Sequence, residues 1–518
     1  MPTIVRLILL LAISRPLIAQ ATAPASPFRV EETTIADVHA AFRAGTLTCK
    51  SLVEQYLRRI DAYDKNGPAI NAIVVVNPAA LQVADSLDAR FRREGLTGPL
   101  HCIPVIVKDN FETVDLPTTA GSLSLQGFVS NKDAFEVRRL REAGAIVLAK
   151  SNMAEFAFSP YETVNSILPG YTKNPYALDR VTAGSSGGTA AAVAANLGEV
   201  GLGTDTGNSI RGPSAHQALV GIRSTMGLTS RAGVVPLNLS ADIAGPMART
   251  VSDAVAVFQV VAGYDPADSI TAASRGRPVP NYSASLVRDG LRGARIGVLR
   301  QAYERPTLDV EVRDVFARAI ADLRLAGATV VDSVPLPALD SLFAAHRGQC
   351  NPFKFDLEHW IASTGNRTPL KSLAEIIKSN RFHPSIQKRL ELAQAVDIAP
   401  EKNPGCRDRD EFREGLRTLV MRAMDALKLD ALVYPTWSNP PRLIGDLNTP
   451  PGDNSQVFSP STGWPAITVP MGYTRGTLPA GMTLFGRAWS EPVLIRLAYA
   501  YEQATHHRRP PASTPPLR

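Results

Sequence analysis

Residues 182–213, TAGSSGGTAAAVAANLGEVGLGTDTGNSIRGP, form the most informative stretch of the chain. Two glycine-flanked serine sites, at Ser185 and Ser209, stand in it. The alanine-rich segment 189–195 between them has high helix propensity and little side-chain bulk, so it predicts a helix packed deep in the core. The positive end of this helix would point at the Ser185-Ser186 loop. The stretch therefore predicts two tight loops joined through a buried helix.

The glycines predict that another group approaches the backbone closely at each serine. The second loop, from Thr206 to Ser209, offers several backbone N–H groups to one point, as an oxyanion hole requires. One Gly/Ser-rich loop alone is usually only a connector. Two such loops at this spacing, with a lysine at the end of an upstream strand, favour a catalytic site.

That lysine is Lys108, which follows the short apolar run Ile103 to Val107. The run predicts a buried strand with Lys108 at its C-terminal end. Alternation along the strand directs the neighbouring Asp109 to the other side. Burial without a carboxylate partner lowers the pKa of an amine far below its ordinary value of about 10.4. Lys108 is therefore predicted to be uncharged and able to accept a proton.

Helix-then-strand units recur along the chain, which predicts an α/β sheet covered by helices. They are residues 135–143 with 146–149, 310–325 with 329–331, and 412–427 with 431–434. Thr34 and Asp37 resemble a capping box for a first helix, and a second helix starts near Thr48. We expect one large catalytic domain over residues 33–505, in which 278–410 forms a peripheral lobe. The basic, proline-rich tail 506–518 is predicted to be disordered.

The N-terminus has the layout of a secretory signal peptide over residues 1–21, followed by a linker over 22–32. Arg6 precedes the apolar run Leu7 to Ile13, and small residues surround Gln20. These features predict a secreted or periplasmic protein, and no other apolar stretch is long enough to span a membrane. In that compartment one disulfide is possible, and Cys350 with Cys406 is the candidate pair.

Composition excludes several other classes of protein. Of 518 residues, 45% are hydrophobic and 20% charged, which is ordinary for a globular protein. The net charge of +7 is spread along the chain without basic runs interleaved with aromatics, so no nucleic-acid partner is predicted. The cysteines form no CxxC pair and the histidines no HExxH motif, so no metal and no cofactor are predicted.

The sequence AGSSGG followed by GTDTGNSIR resembles the core pattern of the amidase-signature family. The similarity extends upstream through IPVIVKDN at 103–110 and downstream through GIRSTMG at 221–227. It includes GWPAITVP at 463–470 near the C-terminus and spans roughly Thr33 to Glu502. The resemblance implies an α/β amidase-signature fold, with a large mixed central β-sheet covered by helices on both faces.

The resemblance also implies amide hydrolysis through an acyl-enzyme on Ser209. Ser185, with a cis peptide bond, and Lys108 would relay the proton. The backbone N–H groups of Thr206, Gly207, Asn208 and Ser209 would form the oxyanion hole. Ser186 would have a supporting role, and Asp205 would hold the loop through a salt bridge to Arg211.

Two residues depart from the family pattern. Asn208 stands where glycine is common, and asparagine is the best substitute if that position needs a positive φ. Its side-chain amide could also contact the substrate. Cys102 stands where glycine often precedes the strand, and the sequence offers no reason for it.

The substrate class is open beyond a small-molecule amide. Aliphatic, aryl, fatty acyl and peptide amides, esters and carbamates are all compatible with the family. Met153, Phe156, Phe158 and Trp464 could line an apolar acyl pocket, or they could be ordinary core residues. The oligomeric state is not predicted.

Three alternatives remain open from the sequence. Gly184 to Gly188 also fits G-x-S-x-G, which would make Ser186 the nucleophile of an esterase with a downstream acid and histidine. The family also includes the amidase subunit of a tRNA-dependent amidotransferase, which works in a complex. A catalytically inactive binding protein is the third alternative.

Overall fold

The computed structural model describes residues 28–158 and 161–517. The predicted signal peptide and the first part of the linker, residues 22–27, lie outside the described residues. No described helix has the length and apolar character needed to cross a membrane.

Thirteen strands are present in the described ranges. They are β1 Ile73–Val76, β2 Pro104–Lys108, β3 Ile146–Ser151, β4 Lys173–Asn174, β5 Ala177–Val181, β6 Val200–Asp205, β7 Val220–Arg223, β8 Ile243–Ala248, β9 Arg295–Val298, β10 Thr329–Val331, β11 Ala431–Pro435, β12 Ala466–Thr474 and β13 Leu478–Phe485.

Fifteen α-helices accompany them within residues 28–158 and 161–517. They are α1 Ile35–Arg43, α2 Cys49–Ile60, α3 Ala80–Glu94, α4 Phe135–Glu142, α5 Gly187–Ala194, α6 Arg211–Ala215, α7 Val251–Val261, α8 Val310–Leu325, α9 Leu339–Ala345, α10 Phe353–Ser363, α11 Leu373–Ser379, α12 Gln387–Gln394, α13 Pro404–Ala426, α14 Phe458–Thr462 and α15 Glu491–Thr505.

Eleven strands form one mixed sheet in the order β1-β3-β2-β6-β8-β7-β12-β13-β11-β9-β10. Strands β4 and β5 form a separate hairpin-like pair. The predicted α/β fold with a large mixed sheet is confirmed. Strand β2 lies parallel to and beside β6. Their C-terminal ends therefore meet at the same edge of the sheet, which brings Lys108 next to the loop that follows Asp205.

Local sequence signals place several elements correctly. Thr34 and Asp37 form a complete capping box for α1, and Thr48 caps α2. The helix α8 and the strand β10 have the predicted bounds. The predicted helix at 412–427 begins earlier, at Pro404, because Asn403 caps that end and proline suits a first helical turn.

The helix α5 is buried along its whole length, as its small residues predict. Three arginines donate to carbonyl groups at and just beyond its C-terminal end. Arg508 reaches Ala194 O at 3.2 Å, Arg59 reaches Ala195 O at 3.0 Å and Arg249 reaches Gly198 O at 3.0 Å. Cations at this end of a helix satisfy free carbonyls and oppose the helix dipole.

The C-terminal tail differs from the predicted disorder, because residues 506–517 pack on the rest of the chain. The Arg508 guanidinium pairs with Glu32 at 2.7 Å. The carbonyl of Thr514 accepts a hydrogen bond of 2.9 Å from Arg59. Composition alone suggested disorder, whereas these tail residues supply donors and acceptors to buried partners.

The peripheral lobe is smaller than the predicted range 278–410. Residues 295–298 and 329–331 are strands of the main sheet, so they belong to the central body. Helices α10, α11 and α12 instead surround a second hydrophobic cluster that includes Trp360, Ile376 and Leu390. This cluster also contains Phe156 and Phe158, so the lobe packs beside the loop that follows β3.

Two disulfides are present. Cys350–Cys406 is the pair expected from the sequence, and it joins the lobe to the start of α13. Cys49–Cys102, which was not expected, joins the start of α2 to the segment before β2. Cys102 has φ +62°, a conformation that favours glycine, which explains why glycine suits this position. The disulfide partner accounts for the cysteine that stands there.

Candidate active site

Lys108 lies at the centre of a small buried network. Its side chain is fully buried at the end of β2. Its Nζ is 2.7 Å from Ser185 Oγ and 2.7 Å from Thr204 Oγ1. The amide of Asn110 donates to the same threonine oxygen at 3.1 Å. The amine is therefore fixed in position by two hydroxyl groups.

The environment of Lys108 favours its uncharged form. Burial lowers the pKa of Lys108 to about 7, against the weaker opposing attraction of Asp242 and Asp205. The adjacent Asp109 faces Lys150, whose Nζ lies 3.4 Å from its carboxylate. Among the described residues no carboxylate forms an ion pair with Lys108, as the alternation along the strand predicts.

Ser185 follows the buried strand end on a tightly constrained loop. The Gly184–Ser185 peptide bond is cis, as the resemblance implies. The carbonyl of Ser185 accepts a hydrogen bond of 3.1 Å from the Ala154 N–H. Gly188 touches the backbone of Asn152 so closely that a Cβ there would collide with it. These contacts hold the Ser185 hydroxyl against Lys108 at the start of α5.

Ser209 faces a cavity of about 370 Å³, a size suited to a small molecule. The residue is buried, with 4% of its surface exposed. Within the described ranges its hydroxyl makes no hydrogen bond, so the link between Ser209 and Ser185 is not formed in this structure. Groups in catalytic relays are often poorly aligned without substrate and tighten only in the complex.

The loop before Ser209 presents unused backbone donors. In the part of the chain that the structure describes, the N–H groups of Thr206, Gly207, Asn208 and Ser209 donate to no protein acceptor. All four residues line the cavity. The side-chain amide of Gln456 lies so close to Gly207 that a Cβ on residue 207 would collide with it. The loop thus has the free donors that an oxyanion hole needs.

Asp205 holds this loop from the buried side. It pairs with Arg211 at 3.1 Å, in the salt bridge that the resemblance implies, and it accepts from the N–H of Ile210 at 3.1 Å. It also pairs with Arg223 at 3.0 Å. Burial alone would raise the pKa of Asp205, but the two guanidinium groups hold it down at about 2. The second arginine was missed because no local pattern relates it to the loop.

Ser186 has a structural role in this arrangement. Its hydroxyl donates to the Thr204 carbonyl at 3.1 Å and accepts from the Thr204 N–H at 3.3 Å. No described histidine forms a hydrogen bond with it. The imidazole of His216 instead stacks on Trp437, with ring centroids 4.7 Å apart. Nothing here supports Ser186 as an esterase nucleophile.

Asn208 does not have a positive φ, so the reason proposed from the sequence for an asparagine at this position does not apply. A side chain is therefore compatible with its backbone. Both polar atoms of the amide are buried and lack a hydrogen-bond partner among the described residues. The amide lies against Gly212, where a Cβ would come within 2.6 Å of Asn208 Nδ2.

Three of the four residues suggested for an apolar acyl pocket do not line the cavity. Trp464 packs in the main core, stacked on Phe485 with centroids 5.9 Å apart. Met153 and Phe156 belong to the second hydrophobic cluster and are 1% exposed. Of the four candidates, only Phe158 lines the cavity. Part of the cavity wall comes from Arg389 on α12 of the lobe, which is far from Ser209 in the sequence.

Some residues of the site were missed although a signal exists for them. Asn110 lies in the turn two residues after Lys108, and Thr204 is one residue from the end of β6. Asp242 accepts a hydrogen bond of 2.5 Å from the Thr206 hydroxyl, although the two residues are 36 positions apart in the sequence. No local pattern could have assigned it to the loop.

One group of potential metal ligands lies in the described part of the chain. His346, Asp408 and Glu411 hold their ligand atoms within 4.8 Å of one another. The imidazole of His346 already hydrogen-bonds Asp408 at 2.8 Å. None of the three lines the cavity at Ser209.

Comparison with known proteins places this chain among amidases. A family model described as Amidase matches residues 51–495. The chain is 36% identical over 507 residues to the "Probable amidase" of Arabidopsis thaliana, covering 94% of this chain and 92% of that protein. It is 36% identical over 496 residues to a glutamyl-tRNA(Gln) amidotransferase subunit from Symbiobacterium thermophilum, covering 92% and 98%.

A solved structure agrees with the sequence relatives. The native peptide amidase from Stenotrophomonas maltophilia superposes with a TM-score of 0.83 and 41% identity, covering 93% of this chain and 98% of that one. The fold, the match over most of the chain and the buried lysine–serine pair therefore agree, and the chain belongs to the amidase-signature family of amide-hydrolysing enzymes.

Proposed function

We propose that Ser209 is the nucleophile of this amidase and that Ser185 and Lys108 relay its proton. The observation that carries the proposal is the hydrogen bond of 2.7 Å between Lys108 Nζ and Ser185 Oγ. Because burial lowers the pKa of Lys108 to about 7, a large share of the amine is neutral at physiological pH. A neutral amine can accept the Ser185 proton.

The chemistry follows from this arrangement. Ser209 Oγ attacks the amide carbonyl as its proton passes to Ser185, which gives its own proton to Lys108. The free N–H groups of the loop stabilise the negative charge on the carbonyl oxygen. The C–N bond then breaks, and the proton returns through the relay to the leaving amine. Water cleaves the acyl-enzyme by the same route and releases the carboxylic acid.

Asp205 supports this chemistry without touching the substrate. Its two ion pairs are fully buried, and its carboxylate accepts the N–H groups of Ile210 and Arg211. These bonds occupy the inner side of the loop. The N–H groups of residues 206–209 consequently stay available on the cavity side.

The test is turnover of a panel of acyl anilides, primary amides, carbamates and esters by the wild type and by single serine variants. Ser209→Ala is expected to lose turnover and the acyl adduct seen by intact-mass spectrometry, whereas Ser186→Ala keeps the adduct on Ser209. Full activity of Ser209→Ala together with loss in Ser186→Ala would favour the esterase alternative. Absence of turnover across the panel, with activity only in a purified complex, would favour the amidotransferase alternative.

We also propose that the protein is exported. Two disulfides support an oxidising compartment, and the N-terminal pattern is typical of a signal peptide. The test is N-terminal sequencing of protein recovered from each cell fraction. Mature protein beginning close to residue 22 outside the cytoplasm is expected, and an intact N-terminus retained in the cytoplasm would contradict export.

A further inference from the structure

One side of the cavity at Ser209 is strongly positive. Three arginines line it, Arg389 on α12 and Arg409 and Arg413 on α13. No aspartate or glutamate of the described chain is among the lining residues. Because Arg409 and Arg413 are four residues apart on one helix, their side chains emerge on the same face. The loop after β6 thus supplies the nucleophile, while α12 and α13 supply the charge.

The guanidinium groups are poorly balanced by the protein. Arg409 and Arg413 share one carboxylate, Asp410, at 3.0 Å and 3.3 Å. The side chain of Asp410 is 60% exposed, so this pairing is weak. Arg389 forms no ion pair within residues 28–158 and 161–517, and its guanidinium lies 6.0 Å from the centre of the Phe158 ring. Two positive charges therefore remain uncompensated.

The carboxylates near these arginines accept hydrogen bonds from loop donors. Asp356, which is attracted by Arg409, accepts the Leu239 N–H at 2.9 Å. Asp242 accepts the N–H groups of Leu237 and Asn238, and Asp453 accepts from the Ser455 N–H and from Gln456. Burial raises the pKa of both carboxyl groups. They are therefore occupied in holding loops and do not form ion pairs with the arginines of the cavity.

Gathering like charges at this site has a physical cost. Burial, together with the neighbouring Arg409, lowers the pKa of Arg413 to about 10. A bound anion would relieve this repulsion and would satisfy donors that now have few acceptors. Guanidinium groups bind carboxylates with two parallel hydrogen bonds, which also fixes the orientation of the ligand.

We propose that the amide substrate of this enzyme carries a carboxylate, which Arg389, Arg409 and Arg413 bind while Ser209 attacks the amide carbonyl. The volume of about 370 Å³ limits the substrate to a small molecule or the end of a peptide. The carboxylate belongs either to the acyl part or to the leaving amine. This inference rests on Ser209 being the nucleophile, as proposed above.

The experiment compares charged substrates with neutral substrates of matched shape. For the acyl side, the pair is the mono-4-nitroanilide of glutaric acid and the same anilide of glutaramic acid. For the amine side, it is 4-acetamidobenzoate and 4-acetamidobenzamide, since a carboxamide has the shape of a carboxylate without its charge and activates the anilide much less than a nitro group would. Turnover in this second pair is measured by the acetyl group released as acetate. The readout is the ratio of kcat/KM for the acid to kcat/KM for the neutral partner.

In the wild type we expect a ratio of about ten or more in at least one pair, carried by KM. Arg389→Gln and Arg413→Gln are each expected to lower that ratio several-fold, and salt at about 0.5 M to lower it in the wild type. Lys388→Gln and Arg422→Gln are matched controls on the same two helices, outside the cavity lining, and should keep the wild-type ratio.

A wild-type ratio of one or less in both pairs would overturn the proposal, as would arginine variants that leave the ratio unchanged. Arg389 is exposed, so its variant remains informative if Arg413→Gln fails to fold. Ser209→Ala separates the two proposals. If it abolishes turnover of the neutral anilide while no acid is preferred, only the carboxylate proposal fails. If it retains turnover, the nucleophile assignment fails.

Discussion

The carboxylate of Asp109 lies 3.4 Å from the amine of Lys150 and not against its chain neighbour Lys108. The pairing leaves one buried lysine with a counter-charge and the other without one. Lys150 also donates to the Phe111 carbonyl at 2.8 Å, so it is held as a structural cation. Lys108 has only hydroxyl groups as close partners, and this difference separates a structural lysine from a candidate base.

Replacing Lys108 with arginine should lower turnover sharply although both residues have long basic side chains. A guanidinium stays charged in proteins, so it cannot accept the Ser185 proton. We expect kcat to fall by about 10²–10⁴-fold for Lys108→Arg, measured by anilide hydrolysis. Thermal unfolding checks that the variant is folded. A folded Lys108→Arg enzyme with near wild-type kcat would show that no neutral amine is required.

The activity should rise with pH through the pKa of Lys108. Burial lowers this pKa to about 7, so the ammonium dominates below that pH and the neutral amine above it. Because the reaction requires the neutral form, kcat/KM should fall by about tenfold for each pH unit below about 7 and level off above it. A profile that declines as the pH rises through 7 would contradict the assignment of Lys108 as base.

The hydroxyl of Thr204 should position the amine of Lys108. Thr204→Val keeps the shape of the side chain but removes the oxygen that accepts from Lys108 and from Asn110. We expect kcat to drop by about tenfold with little change in KM, and the pH midpoint to move. Thr206→Val is a useful comparison, since that hydroxyl contacts Asp242 instead. An unchanged pH profile would mean that Thr204 has no influence on the lysine.

Breaking the buried ion-pair network at Asp205 should destabilise the fold. Asp205→Asn leaves Arg211 and Arg223 buried without their counter-charge, at an expected cost of about 3–5 kcal/mol in the free energy of unfolding. The exposed pair at Asp410 provides the control, because Asp410→Asn should change stability by less than about 1 kcal/mol. Denaturant unfolding measures both. Equal stability of the two variants would refute the role assigned to Asp205.

The disulfide between Cys49 and Cys102 should stabilise the protein by about 2–4 kcal/mol, since it closes a loop across a sequence separation of 53 residues. The variant Cys49→Ala with Cys102→Gly should unfold at lower denaturant than the wild type. It should nevertheless be more stable than Cys49→Ala with Cys102→Ala, because φ at 102 is +62°. If the alanine variant is the more stable of the two, backbone conformation does not explain the glycine common there.

The sequence predicted elements whose signals are local. A short apolar run located β2 and the buried Lys108, and small residues located the buried helix α5. The pair Asp205 and Arg211 is only six residues apart, within reach of a motif. Such features depend on residues close in the chain, where periodicity and capping chemistry determine the structure.

Contacts between distant segments were not predictable in the same way. Arg223 reaches Asp205 because β7 and β6 both pair with β8, and that topology leaves no local trace. The sequence could not decide between a pocket position and a core position for Trp464, because its environment depends on Phe485 in the neighbouring strand. The arginines of the cavity come from α12 and α13, and the position of α12 depends on hydrophobic contacts of the lobe with the 120–158 region.

The anchoring of α5 has a practical consequence for anyone shortening or tagging this chain. The helix that starts beside Ser185 is clamped at its far end by Arg508, which lies ten residues from the C-terminus and binds Glu32 near the start of the described chain. Residues near both ends of the described part of the chain thus belong to the scaffold around the proposed catalytic residues. A truncation after Thr505 would remove Arg508 and leave the carbonyl oxygens of Ala194 and Ala218 without these donors inside the protein. The loop that carries Ser185, at the other end of α5, would then lose part of its support.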